Sequence, residues 1–143
     1  MTSQVDLCIA IYNEGDCHEH WALYFDDHQF DDKTLFSVKP SSPGQFCHTT
    51  ETRHAQTLRD QDESIFICSV AADQENDILS IAEEIKIRDV GIEVWTSQQY
   101  VLDFLDVLEA NGLIPMSMEY LGRREYIRGR VARARVDYAF RGD

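Results

Sequence analysis

Basic side chains are scarce in this chain of 143 residues. Only 13 Lys and Arg stand against 26 Asp and Glu, for a formal net charge of −13. That balance argues against nucleic acid or an anionic membrane surface as a partner for the body of the protein. Long apolar runs are missing too: no stretch approaches the ~18 residues that span a bilayer. Met1-Thr2-Ser3-Gln4 offers no basic segment followed by an apolar one, so no secretory signal is expected and the expected location is cytoplasmic. The cysteines Cys8, Cys17, Cys47 and Cys68 share no CxxC spacing, and Cys8 and Cys68 sit inside apolar runs. Buried free thiols are the expectation, not a disulfide framework. No Gly-rich phosphate loop, repeat or low-complexity tract is written in the chain, and no cofactor is expected.

What is present suits one folded domain, residues 1–143, with 43% hydrophobic residues. Period-two apolar patterning predicts strands over Val5–Tyr12, His20–Phe25, Leu35–Val38, Gln45–Thr50 and Ser64–Val70. Asn13-Glu14-Gly15-Asp16 reads as a turn, Asp26-Asp27-His28 with Asp31-Asp32 as a solvated turn, and Pro40 to Gly44 as the end of the third strand. Residues 51–63 read as a loop. The period then becomes helical: Ile78, Ala82 and Ile85 mark a helix over 75–88. Val101, Phe104, Leu105 and Leu108 mark a second from Ser97 to Ala110. Thr96 with Gln99 reads as its capping box, and Asn111-Gly112 ends it. Tyr120, Ile127, Val131, Ala134 and Tyr138 fit one face of a C-terminal helix, with Gly122 and Gly129 against it. Strands followed by helices give an α+β class, an antiparallel sheet packed against helices.

Two places stand out for chemistry. His20 opens the strand His-Trp-Ala-Leu-Tyr-Phe, and Trp95-Thr96-Ser97-Gln98-Gln99-Tyr100-Val101 opens the second helix. A side chain in the first turn of a helix sits among free N–H groups and the positive dipole end, where an anionic nucleophile or oxyanion is stabilised. A strand-borne His beside it can serve as general base.

At these residues the chain resembles the circularly permuted papain-like fold of the NlpC-type peptidases and lecithin:retinol-acyltransferase-like proteins. It is most similar to small fungal stand-alone members of that group. The resemblance covers roughly residues 5–112. It implies that His20 is the catalytic His, that Ser37 stands where the third, orienting residue belongs, and that Ser97 falls on the nucleophile with Gln98 matching the Gln after it. Two positions depart from the family pattern: Ser97 replaces Cys and Ser37 replaces His. Three readings stay open, namely a working Ser–His acyl-transfer or hydrolase site, a repurposed pocket in which His20 alone acts as acid–base, and a deliberate Cys→Ser change at position 97. The resemblance implies an enzyme of specialised metabolism acting on an acyl or carbonyl group of a small-molecule substrate, by acyl transfer, hydrolysis or cofactor-free cyclisation. Trp95, Tyr12, Trp21 and Gln98 are the expected substrate-binding residues. The alternative is a catalytically inactive papain-like binding or interaction module.

Other patterns read more plainly. Cys17-His18-Glu19-His20, Cys47-His48 and His54 lack a second ligand pair at metal-site spacing, so no metal is expected. The aspartates at 26, 27, 31 and 32 lack the glycine and terminal glutamate of a calcium loop. Charge is split along the chain: residues 1–110 hold 6 basic and 22 acidic side chains, or −16, while residues 111–143 hold 7 arginines against 4 acidic side chains, or +3. The expected arrangement is a papain-like body with an Arg-rich helical extension over 113–143. That extension would clasp the chain's own acidic surface or a second copy as a homodimer, rather than nucleic acid or membrane.

Overall fold

The structure is a computed structural model that describes residues 3–13, 19–27, 31–42, 45–54, 63–87 and 96–141. Five strands run β1 (Gln4–Asn13), β2 (Glu19–Asp26), β3 (Asp32–Ser42), β4 (Gln45–His54) and β5 (Glu63–Ala71). They form one antiparallel sheet in the order β4-β3-β2-β1-β5. A 3-10 turn, Ala72–Gln74, leads into α1 (Glu75–Glu84), followed by α2 (Ser97–Ala110) and α3 (Met118–Arg141). The chain is therefore α+β, with three α-helices among the described residues. None of the described helices is long and apolar enough to cross a membrane.

The pleat divides the apolar residues into two sets. Val5, Leu7, Ile9 and Ile11 of β1 join Trp21, Leu23 and Phe25 of β2 and Phe36 and Val38 of β3. They form one core with Ile78 and Ala82 of α1, Tyr100, Val101, Phe104, Leu105 and Leu108 of α2, and Tyr120, Ile127 and Val131 of α3. All three helices thus cover one face. Cys8, Ala10, Ala22, Tyr24 and Leu35, with Tyr12 beside them, form a smaller cluster on the opposite face. β1 is buried on both faces, which is why its sequence is almost unbroken apolar.

Several expected boundaries move. β3 is 11 residues long, not a short strand. Asp32 opens it, and Pro40 lies within it beside a register irregularity between Pro40 and Ser42. Proline is tolerated where a strand is irregular or has an open edge. Glu51 to His54, expected in a loop, pair with Leu35 to Asp32 and lengthen β4. α1 stops at Glu84, short of residue 88, because Ile85 turns to extended backbone (φ −60°, ψ 127°) and buries its side chain in the core. α2 has the expected bounds, with Thr96 accepting from the N–H groups of Gln98 and Gln99. The capping box is only half formed, since the Gln99 amide donates forward to Asp103 Oδ1 at 3.0 Å. The turn over residues 13–16 lies mostly outside the described residues, as do the Ala134 and Tyr138 side chains.

Candidate functional site

The ladder between β2 and β3 is short: Leu23 pairs with Phe36 and Tyr24 with Leu35. Two residues back, at Trp21, side chains take over from strand backbone. The Trp21 N–H donates to Ser97 Oγ at 3.1 Å, and Ser37 Oγ donates to the Trp21 carbonyl at 2.7 Å. Further toward the strand start, the Gln98 amide donates to the Glu19 carbonyl at 3.2 Å. Residues 19 and 21 present their backbone to the same edge of β2, because strand groups alternate. The first turn of α2 therefore stands in for β3 along that edge, and no buried backbone group of Trp21 is left unpaired. Ser37, Ser97 and Gln98 are all buried, at 3%, 6% and 6% exposure, so these bonds form away from competing water.

The expected site residues are thus divided. Ser37, Ser97, Gln98 and Trp21 come together around one residue's backbone. His20 is next to Trp21 in the chain, but the pleat turns its side chain to the other face, with Ala22 and Tyr24. There its ring lies 6.4 Å from that of Tyr12, tilted by 31°, and Tyr12 packs against the smaller cluster. Ser97 Oγ reaches to within one residue of His20, yet its partner is the Trp21 N–H and not imidazole. Ser37 likewise holds a carbonyl rather than orienting His20. Trp95 lies outside the described residues.

Two participants escaped the sequence reading. Glu19 supplies a carbonyl to Gln98 and a carboxylate Oε1 to the Trp21 indole N–H, 3.2 Å away. His48, on β4, places Nε2 3.0 Å from the Ile85 carbonyl. A carbonyl only accepts, so Nε2 carries the proton. The His48 ring also lies 6.0 Å from Tyr100 of α2, whose hydroxyl donates to the Ala82 carbonyl at 3.0 Å. Burial, aided by Glu83, raises the Tyr100 phenol above its ordinary range, so it serves as a donor and not a base. The bonds between Glu19 and Gln98 and between His48 and Ile85 have no local sequence signal, because those partners are distant along the chain.

A groove of about 440 Å³ lies between the C-terminal parts of α1 and α2. Ile81, Ile85 and Val107 give it an apolar lining, and Glu84, Lys86, Asp103 and Asp106 a charged one. Ser97 lies at the opposite end of α2. Among the described residues no three His, Cys, Asp or Glu side chains converge as a metal site would require. Compared with family models, with characterised proteins and with solved structures, the chain has no match.

Proposed function

We propose that this chain is a permuted papain-like binding or interaction module in which Ser97 has a packing role rather than a nucleophilic one. The observation that carries this reading is the double clamp on Trp21: Ser97 holds its N–H and Ser37 its carbonyl. A serine nucleophile needs a general base within hydrogen-bond reach to take its proton. Here the neighbouring imidazole of His20 stands beside Tyr12 instead. The two positions at which the chain departs from the family pattern are the two that now serve the backbone. The order of the His-Trp strand, the next strand and the helix beginning at Ser97 supports the papain-like part of the reading.

The deciding experiment is active-site labelling. Incubation with a fluorophosphonate should leave Ser97 unmodified by peptide mass spectrometry, and short-chain acyl esters should not turn over. Labelling of Ser97 that disappears in His20→Ala would overturn the proposal. The chain would then be an enzyme acting on acyl or carbonyl groups, with His20 as base.

A further inference from the structure

We propose that Arg130 ties α3 to the start of β2 and so fixes the strand that carries His20 against the first turn of α2. Its guanidinium donates through Nη1 to Glu63 Oε1 at 2.9 Å and through Nη2 to Glu63 Oε2 at 2.6 Å. The same Nη2 donates to Glu19 Oε2 at 2.9 Å, and Nη1 also reaches the Tyr126 hydroxyl at 3.3 Å. Glu19 is therefore shared three ways. Oε2 goes to Arg130, Oε1 to the Trp21 indole and the carbonyl to Gln98. A single residue at the head of β2 thus joins α3, β2 and α2.

The planar fork of arginine suits this arrangement, since one face engages a carboxylate at two points while a further N–H reaches the second carboxylate. Removing it would leave Glu19 and Glu63 as neighbouring like charges. The tie is also better sheltered than the outer arginine contacts of α3: the Arg130 side chain is 17% exposed and Arg128 43%. Arg128 reaches Asp106 and Glu125 only at 3.4 Å, pairs with helix residues alone, and belongs to the class of surface pairs that contribute little.

The test uses the full chain carrying Ser97→Cys, with iodoacetamide as probe and peptide mass spectrometry as readout. Cys8, buried on the sheet face away from the helices, is the internal control for global opening. In that background Arg130→Gln should raise the alkylation rate at position 97 relative to Cys8 by roughly tenfold, the scale on which losing a charged hydrogen bond shifts a local opening equilibrium. Arg128→Gln should leave the ratio unchanged. Glu19→Gln should raise it as well, and it answers the question if Arg130→Gln fails to fold. An unchanged ratio in both, or an equal rise in Arg128→Gln, would overturn the proposal. Fluorophosphonate labelling tests what Ser97 does, whereas the alkylation ratio tests where β2 lies, so either proposal can fail alone.

Discussion

Ser97 and Ser37 illustrate how a residue type can be legible while its role is not. A buried N–H or carbonyl without a partner costs about 1–3 kcal/mol. Ser97→Ala and Ser37→Ala should therefore each destabilise the fold by about that amount in urea unfolding, with no function lost or gained. Because both act on Trp21, the double variant should be non-additive; strict additivity would mean that the two clamps are independent. The thiols give a second residue-scale expectation. Burial, with Asp26 and Asp6 adding to it, pushes the Cys8 thiol up to about 12. Burial, partly opposed by Arg123, pushes Cys68 up to about 11. Only thiolate reacts appreciably. At pH 8 iodoacetamide should modify exposed Cys47 and spare Cys8 and Cys68 until denaturant is added. Fast modification of either in the native protein would contradict their burial.

Among the elements, α2 is the one whose ends are written most fully in the sequence. Thr96 caps its start, and Gly112 adopts φ +69° just past its end, where the Leu113 N–H returns to the Leu108 carbonyl at 3.0 Å. Thr96→Ala should cost about 1 kcal/mol through two backbone donors losing their acceptor. Gly112→Ala should cost roughly 1 kcal/mol through backbone conformation alone, since an added Cβ meets nothing within 4 Å. Thermal melts of the two variants check both, and a neutral Gly112→Ala would show that the turn relaxes. α1 behaves differently. Its apolar period continues to Ile85, but the chain leaves the helix there while His48 engages the Ile85 carbonyl. No pattern within α1 announces a partner on β4.

For the molecule as a whole, the split between an acidic body and an arginine-rich end becomes a set of ion pairs. Arg124 meets Glu109 at 2.6 Å, Arg128 meets Asp106, and Arg130 meets Glu63 and Glu19. Ile127 and Val131 pack beneath them in the core. The hydrogen bonds from Arg130 hold the Glu63 carboxyl below its ordinary value of 4.5. A depressed folded pKa contributes stability that is present above the unfolded pKa and lost as pH falls through the folded one. Acidification from about pH 5 to 3 should therefore destabilise the wild type more steeply than Glu63→Gln. Glu75, raised by burial and by Asp27, acts in the opposite sense in both proteins and cancels from the comparison. Melting temperatures across that range check the difference in slope, and parallel curves would remove Glu63 from the acid response.

Taken alone, the sequence determined what depends on near neighbours: the five strands, the bounds of α2, its Thr96 cap and Gly112 stop, and the buried stripe of Ile127 and Val131. These follow from periodicity and capping, which a local window contains. Tertiary structure alone decided which backbone the hydroxyls of Ser37 and Ser97 would serve, which face His20 would take relative to α2, and which carboxylates would meet Arg130. Those outcomes turn on where β2 parts from β3 and how α2 fills the opening. That spacing is set by the packing of the whole sheet against three helices, and no short stretch of the chain encodes it.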